Sequence, residues 1–384
     1  MGKSGNPKGR AKKGLVSGRL EQMDIQAIRR ALMRWYVKHR RPLPWRETLD
    51  PYRIWVSEIM LQQTQVATVI AYYQRFLTAF PDIRTLARAD LEAVLKLWEG
   101  LGYYARARNF HRAANLVVND FGGKIPDDPA AFIALPGVGD YINAAVSSIA
   151  FGRPLAVVDG NVKRVLARLF EIQAPVNAAA SYPMFKATAA ELLDQNDPGA
   201  FNQAVMELGA LVCKPSTPDC GGCPVNSWCR AFGHDRVGVF PVKLKKAPVP
   251  HHPMAVGVVF KGDRVIIVRR PEDAMLGGLW EFPGDRMRVK ETAEAACVRI
   301  LSEQLGLAVR VKSRLAQVRH AYTHFKITAD VFVCAWVSGR VRRNGPTDHW
   351  WVALSELKKY PFPKSNHKFI SELTKPRMPS NDKN

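Results

Sequence analysis

The spacing of apolar residues changes once along this 384-residue chain, and the change separates two regions that must fold differently. Up to about residue 232, apolar residues recur every three or four positions, as in "IQAIRRALMRWYVKHR" and "IWVSEIMLQQTQVATVIAYYQRFL", which predicts helices. From residue 254, "MAVGVVF", "RVIIVRR" and "ITADVFVCAWV" predict strands, and "TAEAACVRILSEQLG" predicts a helix. The sequence therefore predicts a multidomain protein in which an all-α domain is followed by an α+β domain.

Segments rich in basic residues, proline or glycine set the predicted boundaries. Residues 1–20 hold six basic and no acidic residues and predict a disordered basic tail, either a DNA-contacting arm or a solubilising end. A helical domain is predicted at 21–232, and a linker with three lysines and four prolines at 233–253. The α+β domain is predicted at 254–373 and a flexible tail at 374–384.

The net charge of +22 favours a polyanionic partner, most simply nucleic acid. No apolar run approaches the ~20 residues of a membrane helix, and no strongly amphipathic basic helix suits an acidic membrane surface. The first residues also lack the apolar core of a signal peptide. We therefore expect a cytoplasmic protein that binds nucleic acid and not membrane.

Four cysteines lie close together in "CKPSTPDCGGCPVNSWC", namely Cys213, Cys220, Cys223 and Cys229. In a cytoplasmic chain, such a cluster indicates a metal centre rather than disulfides. Four thiolates at this C-x6-C-x2-C-x5-C spacing suit a structural zinc or a [4Fe–4S] cluster equally on chemistry alone.

A tight turn, "LPGVG", is followed by a helical pattern and then by "VVDGN". Gly137 and Gly139 would let backbone N–H groups approach a phosphate, although an ordinary helix–helix turn explains them equally well. Asp159 is placed to cap the next helix, because its oxygens accept the free N–H groups of the first turn. A carboxylate at a helix start can also face a site and stay ionised there.

Glu58 falls on the apolar face of a predicted helix, three residues from Trp55 and Leu61 and four from Ile54. A carboxylate in that position is either paired and structural, or has a pKa raised by desolvation so that it can donate a proton. These residues alone favour the structural pairing.

The order of the motifs resembles one family of enzymes. "LPWR", "SEIMLQQTQVATVI", "GLGYYARARN", "LPGVG", "DGNVKRVLARL", "FNQAVMELGA" and the cysteine loop, within about residues 30–230, resemble the adenine glycosylases of the endonuclease III superfamily. The resemblance implies a helix-hairpin-helix DNA glycosylase domain whose loop at 213–229 binds a [4Fe–4S] cluster. Lyase members carry a lysine at the place of Tyr141, so it also implies a monofunctional glycosylase that releases a base without efficient strand cleavage.

The resemblance also implies roles for individual residues. Glu58 would protonate adenine as general acid, and Asp159 would stabilise the oxocarbenium-like sugar electrostatically or covalently. Tyr141 and Asn161 would orient the carboxylates and the water. DNA contacts are implied for a further set: Leu43, Trp45 and Arg46 in the adenine pocket, Gln63 and Tyr103 beside the lesion, Gly137 and Gly139 in the hairpin, and Lys163 with Arg164 at phosphates.

Two of these residues have ordinary structural alternatives. Gln63 could equally be a solvated helix residue, and Tyr103 could belong to the core. The neighbouring Arg106 and Arg108 favour a DNA contact for Tyr103.

The second domain resembles a Nudix domain with an incomplete catalytic box. The box positions Arg299, Glu303, Gly306 and Leu307 match, whereas Ile300 and Gln304 replace two glutamates, and the first spacing is one residue too long. Loss of these ligands should cripple Mg²⁺ binding, which leaves a binding role for the domain.

The segment "RHAYTHFKI" resembles the loop with which this family recognises 8-oxoguanine. Tyr322, Thr323 and His324 stand at its recognition positions and keep an aromatic ring, a hydroxyl and an imidazole. A β-hairpin with incidental histidines, His320 and His324, is the alternative.

We therefore expect a monomeric glycosylase that removes adenine paired with 8-oxoguanine or G in double-stranded DNA. The alternatives are a lyase-type glycosylase for oxidised pyrimidines, a lesion-binding scaffold and a Nudix hydrolase. Tyr141 argues against the first, the presence of both Glu58 and Asp159 against the second, and the degenerate box against the third.

Overall fold

A computed structural model describes residues 24–245 and 247–373, and the predicted tails at 1–20 and 374–384 lie outside these residues. The chain divides into two compact units, one of residues up to 63 with 124–246, the other of 64–123 with residues from 247 onward. The helices between 64 and 123 therefore share a unit with the C-terminal sheet. The domain boundaries taken from the sequence stay a prediction.

Helices form most of the described chain up to residue 233, as predicted. They are α1 (Ile25–His39), α2 (Pro51–Leu61), α3 (Val66–Ala79), α4 (Ile83–Arg88), α5 (Leu91–Trp98), α6 (Ala105–Asp120), α7 (Pro129–Ile133), α8 (Asp140–Phe151), α9 (Gly160–Phe170), α10 (Tyr182–Leu192), α11 (Pro198–Leu211) and α12 (Arg230–Gly233), with 3-10 turns at Pro44–Arg46, Ala179–Ser181 and Asn226–Trp228. Aspartate side chains accept hydrogen bonds from first-turn N–H groups at the starts of several of them. These caps are Asp24, Asp50, Asp82, Asp128, Asp159 and Asp197.

One apolar pattern that we expected to form a continuous helix is interrupted. α2 ends at Leu61 and α3 begins at Val66. Gln63 lies between them with a φ of +58°, a left-handed backbone conformation that cannot continue a right-handed helix. The expectation is wrong here because the interruption consists of polar residues, "QQTQ", which the solvated face of a helix also contains.

The core of the first unit is formed where α1, α9, α10 and α11 face one another. Leu32, Leu166, Phe185 and Leu208, one from each helix, are fully or almost fully buried. This packing fixes the position of the α9 N-terminus, where Asp159 lies.

The second unit contains a seven-stranded mixed sheet. Its strands are β1 (His251–Lys261), β2 (Arg264–Arg269), β3 (Trp280–Glu281), β4 (Gly284–Arg286), β5 (Ala308–Ala321), β6 (Lys326–Ser338) and β7 (Asp348–Ala353). The order is β3-β2-β1-β6-β5, with β4 paired to β1 and β7 to β2. β1 and β6 run parallel, and the other pairs are antiparallel.

Alternate residues of the strands pack against two helices on opposite faces of the sheet. Val258 and Val331 lie on the face of the sheet that α14 (Lys364–Leu373) covers. Val259 and Phe332 lie on the opposite face, which α13 (Ala293–Leu305) covers. A 3-10 helix at Leu354–Lys359 completes this part of the chain. The predicted α+β fold is confirmed, and so are the three predicted strands and the predicted helix.

Part of the predicted linker is held against the first unit. Phe240 is buried, and its carbonyl accepts a hydrogen bond from Arg168 Nε at 3.0 Å. The N–H of Leu244 donates to Asn177 Oδ1 at 2.9 Å. β1 begins at His251, inside the segment predicted as linker.

None of the helices in the described residues has the length and apolar character needed to span a bilayer.

Candidate active site

Glu58 on α2 is only 4% exposed, although its side chain carries a carboxyl group. The hydroxyl of Tyr141 donates a hydrogen bond to Glu58 Oε2 at 2.5 Å. Burial raises the pKa of Glu58 to about 7; the Tyr141 hydrogen bond opposes this rise, the charge of Asp159 adds to it, and the charge of Arg46 opposes it. Glu58 is therefore an acid that holds its proton close to neutral pH.

Tyr141 is presented by the turn between α7 and α8. Gly137 in this turn has a φ of +78°, which favours glycine. Gly139 is the N-cap of α8, and a Cβ placed there would meet no atom within 4 Å. The backbone at the start of α8 is therefore open to close approach by a ligand such as a phosphate. Burial raises the pKa of Tyr141 well above its usual value, so the phenol stays protonated and donates to Glu58.

Asp159 is the N-cap of α9. Its charge also acts on the Glu58 carboxyl group and raises the pKa of Glu58. Its Oδ1 accepts from the N–H of Val162 at 2.7 Å, and its Oδ2 accepts from Asn161 Nδ2 at 3.0 Å. Burial raises the pKa of Asp159, while these two hydrogen bonds favour the ionised form and limit the rise. The capping interpretation and the site interpretation are thus compatible in one side chain.

Arg164 is used inside the fold rather than presented to a phosphate. Its Nη2 donates to Asn161 Oδ1 and to the Gly209 carbonyl, both at 2.8 Å, and its Nε donates to the Cys213 carbonyl at 2.7 Å. A phosphate contact by Arg164 stays a prediction. Sequence reasoning missed its structural role because the acceptors are 45 and 49 residues away.

Lys163, the neighbouring predicted phosphate contact, also has partners within the chain. Its Nζ donates to the Val176 carbonyl at 3.3 Å and lies 5.2 Å from the centre of the Tyr182 ring. A phosphate contact by Lys163 stays a prediction.

Glu207 on α11 was not singled out in the sequence, yet it holds the predicted adenine-pocket segment in place. It is 1% exposed, and Arg46 forms two hydrogen bonds with its carboxylate, both of 2.9 Å. Arg41 adds bonds from Nε at 2.9 Å and from Nη2 at 2.6 Å. Burial alone raises the pKa of Glu207, but the two guanidinium groups outweigh it and lower the pKa to about 2.

The pairing gives Arg46 a structural contact, and its predicted contact with adenine stays a prediction. Its guanidinium is committed to Glu207, and Leu43 and Trp45 beside it are buried. The one sequence signal for the pairing of Glu207 with the two arginines was a glutamate within an apolar helical segment, "FNQAVMELGA".

The two residues predicted to lie beside the lesion share a backbone conformation. Gln63 and Tyr103 have φ values of +58° and +51°, in the left-handed region that residues other than glycine seldom adopt. Such conformations concentrate at functional sites, where the surrounding structure holds them. Tyr103 is 39% exposed, so the core interpretation of its ring is wrong.

Tyr103 also touches the predicted recognition loop. Its hydroxyl lies 2.5 Å from Thr323 Oγ1, and the two residues belong to the same unit of the fold. The sequence had assigned both residues to the lesion separately, and the contact brings them together.

The recognition loop forms the tight turn between β5 and β6, in which the N–H of Tyr322 donates to the Phe325 carbonyl at 2.8 Å. Thr323 and His324 at its tip are exposed. Tyr322 instead turns inward, with its hydroxyl 3.1 Å from Ser365 Oγ and its ring against Phe325. Tyr322 therefore shapes the turn, and only two of the three predicted recognition side chains are presented to solvent.

The four cysteines form no disulfide and are partly exposed. Arg168 Nη1 lies 3.3 Å from Cys213 Sγ. Burial, with a smaller contribution from the neighbouring cysteines, raises the pKa of Cys223 to about 12 and of Cys229 to about 11. Among the described residues, no three His, Cys, Asp or Glu side chains are gathered closely enough to hold one metal ion.

In the retained part of the Nudix box, the charged side chains form ion pairs with one another and with nearby residues. Arg299 binds Glu291 at 2.6 Å and Glu303 at 2.8 Å, and Arg288 adds a bond to Glu303 at 2.9 Å. Ile300, at a position where the box has a glutamate, is 2% exposed within the core under the sheet. Arg299 and Glu303 thus take part in ion pairs within the fold, and the loss of Mg²⁺ binding stays a prediction.

Two family models match successive parts of the chain. The HhH-GPD superfamily of base excision DNA repair proteins matches residues 56–183, and the NUDIX domain family matches 255–372. A solved thermostable thymine-DNA glycosylase superposes on 55% of this chain and 97% of its own, with a TM-score of 0.51 and 29% identity. The fold is therefore that of a helix-hairpin-helix DNA glycosylase followed by a Nudix-like domain.

Full-length relatives narrow the assignment. The adenine DNA glycosylase of Rattus norvegicus is 37% identical over 81% of this chain and 71% of its own. The enzyme of Homo sapiens is 36% identical over 87% and 71%, and that of Schizosaccharomyces pombe 30% identical over 88% and 87%. The chain belongs to the adenine DNA glycosylase family of base excision repair enzymes.

Proposed function

We propose that this chain hydrolyses the N-glycosidic bond of adenine paired with 8-oxoguanine or G in double-stranded DNA, acting as a monomer. The observation that carries the proposal is the environment of the Glu58 carboxyl group. This group is buried, has a pKa near 7, has no ion pair among the described residues and interacts with a second carboxylate, that of the partly buried Asp159. Loss of a neutral purine requires a protonated acid at the base and an anion at the sugar, and two carboxylates held in different environments supply both.

The proposed reaction begins when adenine leaves the duplex and enters the pocket that contains Leu43 and Trp45. Glu58 transfers its proton to a ring nitrogen of adenine, and the bond between the base and C1′ breaks with the electron pair going to the base. Asp159 stabilises the positive charge that develops on the sugar. Water then adds to C1′ and releases a proton that restores the acid form of Glu58, and the products are free adenine and an abasic site.

Two further residues keep the carboxylates in place. The phenol of Tyr141 orients the Glu58 carboxyl group, and the amide of Asn161 orients Asp159. Tyr141 offers no amine to form a Schiff base, so the reaction ends at the abasic site without efficient strand cleavage.

We further propose that Cys213, Cys220, Cys223 and Cys229 bind a [4Fe–4S] cluster with a structural role. The donor set fits, because all four are thiols on one loop and none is oxidised to a disulfide. Thiolates around one tetrahedral zinc, about 2.3 Å from the metal, would stand closer together than a cluster with its own iron and sulfide requires. The C-x6-C-x2-C-x5-C spacing, which resembles the cluster loop of the family, is what favours the cluster over a single zinc ion.

Recognition of the base opposite adenine is proposed for the tip of the β5–β6 turn. Thr323 offers a hydroxyl and His324 an imidazole, and both are exposed. The net charge of +22 supports DNA as the partner.

Single-turnover release of adenine tests the proposal. Duplexes with adenine opposite 8-oxoguanine, G or T are compared for wild type and Asp159→Asn, with the protein loaded with its cluster. We expect fast release opposite 8-oxoguanine that Asp159→Asn abolishes while duplex binding persists. Absence of release from every duplex would overturn the proposal, and full activity of Asp159→Asn would reduce Asp159 to a helix cap.

A further inference from the structure

A basic cleft of about 550 Å³ lies beside the recognition turn of the second unit. Its polar lining consists of the cations Arg319, Lys326 and Lys368, together with His251, His320 and Thr328. No carboxylate lines it among the described residues. The cleft is separate from the Glu58 site and from the cysteine loop, and none of the roles proposed above uses it.

The strand register explains how these side chains meet. On the antiparallel pair β5 and β6, Arg319 lies opposite Thr328 and Ala321 lies opposite Lys326. Because these pairs are two residues apart, Arg319 and Lys326 project from the same face of the sheet. The parallel strand β1 adds His251 opposite Lys326.

The third cation comes from α14. The ammonium group of Lys368 donates to the carbonyl of Arg319 at 2.5 Å. This bond ties the helix to the strand and places a third positive charge at the cleft.

The cations of the cleft differ from other cations of the same sheet. Within the described residues, Arg319, Lys326 and Lys368 are in no ion pair, whereas Arg314, on the same strand as Arg319, is paired with Asp330. Arg270 on the neighbouring part of the fold is likewise neutralised, by Glu281 at 2.7 Å. The cleft therefore keeps an uncompensated positive charge.

A second observation reports the sign of the local field. Burial lowers the pKa of His320, and the positive charges of Lys368 and Lys364 lower it further. By the same alternation, His320 lies on the opposite face of β5 from Arg319, on the side of α14, where Lys364 and Lys368 lie. Three exposed cations suit a partner that brings several anionic oxygens spread over an open surface.

We propose that this cleft binds consecutive phosphodiester groups of duplex DNA next to the recognition turn. The inference rests on the proposed function and extends it, because Arg319 lies four residues before Thr323 and Lys326 three residues after it, one on each side of the turn. A grip on the backbone at this place would fix the duplex while the tip of the turn reads a base. Phosphate contacts of this kind set position and affinity, not sequence preference.

The experiment compares two double variants with the same change in charge. Arg319→Ala/Lys326→Ala removes two cations from the cleft, and Arg310→Ala/Lys312→Ala removes two exposed cations from the same strand outside it. Duplex affinity is measured from 50 to 200 mM salt with undamaged DNA and with DNA containing adenine opposite 8-oxoguanine. Thermal melting checks that both variants fold.

We expect the cleft variant to lose affinity for both duplexes by a similar factor. Two lost phosphate contacts flatten the plot of log K against log salt by about 1.8, so the deficit shrinks roughly twelvefold across this range. The control variant should keep the wild-type slope. Equal slopes for the cleft and control variants would overturn the proposal.

Tripolyphosphate provides a second arm, because its oxygens share the chemistry of a DNA backbone. If the cleft variant loses calorimetric binding of tripolyphosphate but binds both duplexes like wild type, the cleft is a site for free polyphosphate and the DNA proposal fails. Binding is measured separately from base release, so the two proposals can fail independently. If the wild-type protein releases no adenine but the variants show the predicted salt dependence, the proposed reaction is refuted and the proposed phosphate site is supported.

Discussion

The pocket around Glu58 and the Nudix-box face around Arg299 both gather carboxylates, but they treat them in opposite ways. Glu58 is buried with a phenol as partner, and its pKa rises to about 7. Glu291 is tied to Arg299, which lowers its pKa to about 2. Burial without a cation produces a proton donor, whereas pairing with arginine produces a permanent anion that serves structure.

A third glutamate shows that burial alone does not decide between these outcomes. Glu207 is even less exposed than Glu58, yet Arg41 and Arg46 hold its pKa at about 2. The same domain thus contains a buried acid and a buried anion, and the difference lies in the guanidinium groups. This contrast supports the proposed role of Glu58 as the proton donor.

The largest effect should follow from removing the acid. We expect Glu58→Gln to lower single-turnover adenine release by about 10²–10⁴-fold, because the amide cannot donate the proton that makes adenine a leaving group. Melting temperature and duplex affinity should stay close to wild type. A rate within twofold of wild type would remove Glu58 from the mechanism.

Removing the buried anion should act on stability rather than on proton transfer. We expect Glu207→Gln to lower the free energy of unfolding by about 3–5 kcal/mol, because two arginines lose their buried counter-charge. Urea denaturation at pH 7 measures this change. The matched variant Glu291→Gln, in the exposed network of the second unit, should change stability far less.

The pH dependence of the Glu207 contribution has a defined sign. Its pKa is lower in the folded chain than in the unfolded chain, so the stabilisation is complete above the unfolded value and is lost as the pH falls towards about 2. Glu207→Gln should therefore flatten the acid limb of the stability profile. An unchanged acid limb would contradict the assignment.

Restoring a Nudix-box glutamate should damage the fold without restoring hydrolysis. Ile300 lies in the core between α13 and the sheet, so Ile300→Glu would bury a charge and destabilise the chain by about 3 kcal/mol or more. Gln304→Glu, at the partly exposed position, should be tolerated. Mg²⁺-dependent nucleotide hydrolysis by either variant would show that the box can still assemble a metal site.

The hydrogen bond between Tyr141 and Glu58 should appear in the pH profile of the reaction. Release of adenine should fall as the pH rises above about 7, because Glu58 then loses its proton. The phenol stabilises the carboxylate, so Tyr141→Phe should move this alkaline limb to higher pH. A limb that stays in place while the rate falls would assign Tyr141 a merely structural role.

The sequence predicted the parts of the site that depend on local patterns. The cysteine loop, the turn before α8 and Asp159 ahead of α9 each lie in one short motif, and the resemblance placed Glu58 among them. Glu207 was missed because its partners, Arg41 and Arg46, are more than 160 residues away. No local pattern records such a pairing.

The direction in which a side chain points was the second feature that the sequence could not predict. Thr323 and His324 point to solvent as a recognition loop requires, whereas Tyr322 beside them points inward to Ser365. The left-handed conformations of Gln63 and Tyr103 were equally hidden, since neither position is a glycine. These features depend on packing around the turn and not on the residues within it.

The smallest expected effect concerns the hydroxyl contact between Tyr103 and Thr323. Tyr103→Phe keeps the ring and removes the hydroxyl, and Thr323→Val keeps the shape and removes its partner. If the contact positions the ring for insertion beside the lesion, each variant should lose about three- to tenfold in affinity for adenine opposite 8-oxoguanine, corresponding to about 1 kcal/mol. The double variant should lose no more than either single variant, because both remove the same interaction. Additive losses would mean that the two hydroxyls contact DNA independently. The hydrogen bond between Tyr103 and Thr323 would then contribute nothing to the affinity for DNA.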